Sequence, residues 1–116
     1  MGRKRASTEQ GITGTYDIST GTAEVVPDEF RDGAYILNVN GVPSSHIVLG
    51  EPEELEFEYM RWIAAAVEHL NTRPANKLRV THLGGAGCSL PRYFASRLPG
   101  SRHTVVELDA KLGELV

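Results

Sequence analysis

Cysteine is almost missing from this sequence. Cys88 is the single one, so no internal disulfide can form and nothing points to an oxidising compartment. Long apolar runs are absent too, and none approaches the roughly 20 residues that a membrane-spanning helix needs. The basic start Arg3-Lys4-Arg5 is followed by polar residues, so it does not read as a secretory leader. Neither charge sign dominates: 12 Lys+Arg against 15 Asp+Glu leave a net charge of -3. That balance gives no general attraction to nucleic acid or to an anionic membrane. His46, His69, His82 and His103 lack metal-ligand spacing, and no cysteine pair accompanies them. The expectation is a cytoplasmic protein with no metal, no nucleic-acid partner and no membrane partner.

What is present is an ordinary globular balance, 41% hydrophobic and 23% charged in 116 residues, enough for one domain at most. Residues 1–15 read as a disordered tail; a basic arm for nucleic acid is the minor alternative. Residues 16–50 read as a β-strand region. Its candidate strands are Thr22–Val26, Ala34–Val39 and Ser45–Leu49, with Asn40-Gly41 as a hairpin turn. Residues 51–116 read as the first part of a nucleoside-binding domain. It opens on a helix over Gly50–Asn71, with Pro52 and the acids Glu51, Glu53, Glu54 and Glu56 in its first turns. Leu55, Tyr59, Trp62, Ile63, Ala66, Val67 and Leu70 recur at helical spacing and predict one apolar face, with Tyr59 and Trp62 in the core.

A strand–loop–helix–strand unit follows. Leu78–Leu83 predicts a strand, Gly84–Ser89 a tight loop, and Leu90–Leu98 a helix with Ser89 as its N-cap and Pro91 in its first turn. Thr104–Leu108 predicts a second strand, and Lys111–Val116 the start of another helix. Each part has a physical task in binding a nucleotide. Glycines let the backbone turn sharply and approach a ligand with no Cβ in the way. The next helix offers free N–H groups at its N-terminus. An acid about 20 residues beyond the loop can accept hydrogen bonds from ribose hydroxyls, and Glu107 stands at that distance from Gly87. The loop lacks the third glycine of the dinucleotide pattern, since Leu90 stands there. A βαβ unit that packs without binding anything is the competing reading. Cys88 reads as a small loop filler and His82 as a hydrogen-bonded residue of the core or rim.

The run His82-Leu-Gly-Gly-Ala-Gly-Cys-Ser-Leu-Pro-Arg-Tyr93, with Pro99-Gly-Ser-Arg-His-Thr-Val-Val-Glu-Leu-Asp109, resembles the spermidine synthase (polyamine aminopropyltransferase) family. The likeness is strongest to actinobacterial spermidine-synthase-like proteins. It extends from about Thr22 to the C-terminus and includes Glu58-Tyr59. It implies an α/β fold in which a small antiparallel β-sheet precedes a Rossmann-like, methyltransferase-type parallel sheet, here truncated. It implies decarboxylated S-adenosylmethionine as aminopropyl donor and putrescine, a polyamine, as acceptor. By position, Gly84, Gly85, Ala86 and Gly87 would border the donor, Glu107 its ribose and Asp109 its adenosine. Tyr59 would line the acceptor channel. The chain departs from the family pattern in three places. Ala86, Gly87, Cys88 and Ser89 stand where the loop usually reads Gly-Asp-Gly-Gly, Ser44 stands for a glutamine, and Met60-Arg61 stand for His-Glu.

The resemblance also places the family's proton-accepting aspartate on a later strand, beyond Val116. The chain is therefore expected to be part of a longer transferase, or a truncated, proteolysed or split product, and inactive alone. The alternatives are an S-adenosylmethionine-dependent methyltransferase and a non-catalytic nucleoside-binding or oligomerisation module. Two parallel strands leave edges and apolar faces open, so a homodimer is expected.

Overall fold

The computed structural model describes residues 11–116. The first ten residues, which include the basic Arg3-Lys4-Arg5, lie outside the described residues. Their reading as a tail or a nucleic-acid arm lies there too. An antiparallel sheet comes first: β1 (Gly14–Ile18), β2 (Gly21–Pro27), β3 (Ala34–Val39) and β4 (Val42–Val48), paired in that order. β1 was not foreseen as an element and begins inside the stretch read as tail. Asn40 (φ 51°) and Gly41 (φ 80°) form the β3–β4 turn, with the left-handed pair that a two-residue hairpin turn demands. Asn40 also joins this turn to the β1–β2 turn. Its Oδ1 accepts from Thr22 N at 3.0 Å and its Nδ2 donates to Thr20 O at 3.2 Å.

The helix expected over Gly50–Asn71 is shorter. α1 spans Glu58–Leu70, and residues 50–57 form a turn and an irregular segment. Side chains tie that segment to neighbouring elements. Arg31 pairs with Glu51 at 3.0 Å and with Glu54 at 3.3 Å, and Ser96 donates to Glu53 at 2.8 Å. Arg61 Nη1 donates to the carbonyls of Leu55 and Glu56 at 2.9 and 2.7 Å. Leu55 turns inward to a core cluster with Met60, Ala64 and Phe94. The expected single apolar face of α1 also needs correcting. The inward stripe is Met60 and Ala64, with Val67 packed beside it. Tyr59 is 51% and Trp62 65% exposed, and Ile63 and Leu70 also face outward. Helical periodicity marked the helix, but two adjacent apolar stripes gave no sign of which one packs.

After a short 3-10 turn, the second unit has the expected order: β5 (Arg79–Leu83), α2 (Ser89–Arg97), β6 (Arg102–Val106) and α3 (Ala110–Leu115). β5 and β6 pair in parallel, with His82 opposite Val105 and Val80 opposite His103. α2 crosses over one face of the pair. Phe94, 2% exposed, seats it there against His82 and His103. The other face of the pair, with Leu83 and Val106, is exposed. The fold is thus α/β: an antiparallel sheet followed by the beginning of a parallel one.

Two devices lock the units together. The first is Asp109, 3% exposed, which caps α3 by accepting from Leu112 N at 3.0 Å. The same carboxylate accepts from Ser19 N at 2.9 Å, Thr20 N at 2.8 Å and Thr20 Oγ1 at 2.8 Å. Burial opposes its ionisation, but the donors from Leu112, Ser19 and Thr20 outweigh burial and hold the carboxyl well below the usual carboxylate range. The second device is Gly87, whose N–H donates to Ser45 Oγ on β4 at 2.9 Å. A Cβ on Gly87 would stand 2.8 Å from Ser45 Cβ, so only glycine permits this approach.

Candidate functional site

The glycine loop runs from the end of β5 to the start of α2. Gly84 (φ 82°) uses the left-handed freedom of glycine, whereas Ala86 (φ 46°) and Cys88 (φ 60°) occupy that region with a side chain. Gly85 is required by close packing, since a Cβ there would lie 2.6 Å from Val105 Cγ1. The expected N-cap at Ser89 falls one residue late. Cys88 is the N-cap, and Ser89 is the first helical residue, its hydroxyl donating to His46 O at 3.1 Å. Burial pushes the Cys88 thiol above its ordinary value, and Arg92 offsets this only in part, so the site holds no activated thiolate.

Glu107, just past β6, meets this loop. Its Oε1 accepts from Gly85 N at 3.0 Å and from Ala86 N at 3.3 Å, and its Oε2 accepts from Asp109 N at 3.0 Å. Hydrogen bonds from Asp109 N, then Gly85 N, keep its carboxyl below the usual range against the opposing effect of burial. A carboxylate has about four acceptor sites, and these three donors leave roughly one free on Oε2.

The carboxylate stands at the rim of an open cavity of about 580 Å³, at the C-terminal ends of β5 and β6. Gly84, Gly85, Ala86, Glu107, Asp109 and Tyr59 all line it. The structure therefore brings six sequence-selected residues to one space. It does not bring Gly87, which faces β4 instead. Asp109 lines the cavity, but its oxygens are committed to Ser19, Thr20 and Leu112. Sequence reading did not select Thr20 or His82 for this wall. Thr20 had no local signal, because its partner Asp109 lies 89 residues away. Ser44, one of the departures from the family pattern, also lines the cavity. Among the described residues, no group of three or more His, Cys, Asp or Glu could hold a metal ion. Among the same residues, no helix is long and apolar enough to cross a membrane.

A glycine loop and an acid at the heads of two parallel strands are the arrangement of the Rossmann-type α/β class. Comparison with known proteins agrees with that class and narrows it. No family model matches the chain, and no curated protein matches it. A solved structure does: a probable spermidine synthase from Corynebacterium glutamicum ATCC 13032, at 50% identity and a TM-score of 0.82. The match covers 89% of this chain and 38% of that one. The likeness carried by the loop and the Val-Val-Glu-Leu-Asp motif is thus borne out: this chain is spermidine-synthase-like in sequence and in fold.

Proposed function

We propose that the cavity binds the adenosine part of decarboxylated S-adenosylmethionine, as the donor site of a polyamine aminopropyltransferase. One observation carries this reading: the Glu107 carboxylate is hydrogen-bonded to the Gly85 and Ala86 amides at the cavity rim. The free acceptor site on Oε2 takes a ribose hydroxyl. Gly84, Gly85 and Ala86 form the wall beside the sulfonium. Tyr59, on the α1 side, borders the space for an amine acceptor. Asp109 serves as scaffold and holds the β1–β2 turn and Thr20 at the cavity. In aminopropyl transfer, a neutral amine attacks the methylene next to the sulfonium. A C–N bond forms, the C–S bond breaks, methylthioadenosine leaves, and the amine's proton passes to a base. These residues would orient the donor for that attack.

Calorimetry with decarboxylated S-adenosylmethionine, S-adenosylmethionine and methylthioadenosine tests the proposal. Decarboxylated donor and methylthioadenosine are expected to bind, and Glu107→Gln is expected to weaken both about tenfold, the value of one lost charged hydrogen bond. Preference for intact S-adenosylmethionine would favour methyl transfer. No binding of any of them would refute a nucleoside site.

The partner reading is self-association. The exposed apolar residues Trp62, Ile63 and Leu70 of α1, together with Val106 of β6, support it. Sedimentation at micromolar concentration is expected to show a dimer; a monomer that melts cooperatively would count against it.

A further inference from the structure

We infer that Ser101, His103 and His82 form a one-way hydrogen-bond relay that presents Nδ1 of His82 as a bare acceptor for the ammonium end of the bound donor. The inference rests on the nucleoside reading above and adds a specificity-determining residue to that site.

The direction of the relay follows from counting protons. The Ser101 hydroxyl donates its only proton to Leu98 O at 2.6 Å. Its oxygen can then only accept from His103 Nε2, 2.8 Å away, so that nitrogen carries the hydrogen. A neutral imidazole has one N–H, which leaves His103 Nδ1 as an acceptor. His82 Nε2 lies 3.0 Å from it and must be the donor. His82 Nδ1 is left unprotonated, with no hydrogen-bond partner among the described residues, and it is not among the sealed buried atoms. His82 lines the same cavity as Gly84, Gly85 and Glu107. Phe94, with its ring centroid 6.1 Å from that of His103 and 6.4 Å from that of His82, packs against both imidazoles.

Both histidines are neutral near pH 7. Burial pushes each below its ordinary value, and His103 lowers His82 further. The titratable groups around His82 are His103 from β6, Glu107 and Asp109 from the segment after it, and Tyr59 from α1. From α2 the cavity takes the uncharged Ser89, Leu90 and Pro91. The two carboxylates are ionised, so the cavity suits a cation. A neutral His82 adds an acceptor for its N–H groups, and a protonated one would repel it. Ser101 and His103 are positioning residues for His82.

Methylthioadenosine shares the nucleoside with decarboxylated S-adenosylmethionine but lacks the aminopropyl ammonium, so the pair isolates this contact. Calorimetry at pH 7.5 is expected to show His82→Leu weakening the decarboxylated donor about tenfold, with methylthioadenosine unchanged. His82→Asn, which can place an amide oxygen near the Nδ1 position, is expected to recover most of the loss. Between pH 7.5 and 5.5 the wild type is expected to lose affinity for the donor alone, and His82→Asn to lose this pH dependence. Equal weakening of both ligands by His82→Leu would overturn the inference and leave the nucleoside site standing. Failure of the wild type to bind either ligand would overturn both. Should the variants not fold, ¹⁵N NMR of the wild-type imidazoles decides. Nε2–H tautomers at His82 and His103 are expected, and an Nδ1–H tautomer at His82 would refute the relay.

Discussion

Gly87→Ala places one methyl group where the glycine loop meets the β-sheet. The new Cβ would lie 2.8 Å from Ser45 Cβ, 2.9 Å from Ile47 Cδ1 and 3.0 Å from Ser45 Oγ. Ile47 can rotate its terminal methyl aside. Ser45 cannot yield, because it is fully buried, at 0% exposure, in the middle of β4. The loop must therefore back away and stretch the 2.9 Å bond from Gly87 N to Ser45 Oγ. Overpacking of this kind costs about 1–3 kcal/mol, and weakening the bond adds about 1 kcal/mol. We expect a total of about 2–4 kcal/mol, a fall in melting temperature of roughly 8–16 °C for a chain of this size. Urea unfolding followed by far-UV circular dichroism measures it. Adding Ser45→Gly removes the obstructing Cβ, so the double variant should be more stable than the sum of the single losses predicts. A wild-type urea midpoint for Gly87→Ala, or strict additivity in the double variant, would refute the close-approach argument.

Other predictions concern the core, the loop and the response to acid. Phe94→Ala empties the space between α2 and the two histidines and should cost about 3–5 kcal/mol, which leaves little or no folded protein by circular dichroism at 37 °C. Cys88→Gly relieves a left-handed cap residue (φ 60°) and should raise stability by a few tenths to about 1 kcal/mol in urea titrations. His82 and His103 have folded-state values below the ordinary 6.5. Their contribution is present above 6.5 and is lost as pH falls through the folded values. Glu68 and Glu107 are lowered from 4.5 and act in the same direction at lower pH. Stability should thus fall in two stages on acidification, and His103→Gln should remove much of the upper one. A pH-independent melting temperature between 7 and 5 would contradict this.

Much of the site was legible because its signals are local. Gly84 and Gly85 sit between a short strand and a helix that carries Pro91 in its first turn, and Glu107 follows at the nucleotide-binding distance. Asn40-Gly41 announced its hairpin in the same way. The errors arose where long-range contacts decide. β1 pairs with β2 through a five-residue strand, Gly-Thr-Tyr-Asp-Ile, whose weak alternation gave no sign of the partner. The acidic run before α1 was read as a helix start, but Arg31, 20 residues earlier, draws Glu51 into an ion pair. Asp109 lines the cavity, as its motif suggests, but its role as a tie between the two units has no local signal. Its partners Ser19 and Thr20 come from the other end of the chain, and no window of sequence could show that. Ser89 missed the cap position by one residue because the left-handed turn at Cys88 closes the loop first.

The glycine loop and the free acceptor site of Glu107 are proposed to border one nucleoside. An amide-resolved NMR titration with methylthioadenosine tests this proposal most directly. Saturable shifts are expected at Gly84, Gly85, Ala86, Glu107 and Leu108, with Ser45 and Gly87 nearly still. Absence of saturable shifts, or shifts confined to the outer faces of α1 and the antiparallel sheet, would contradict it.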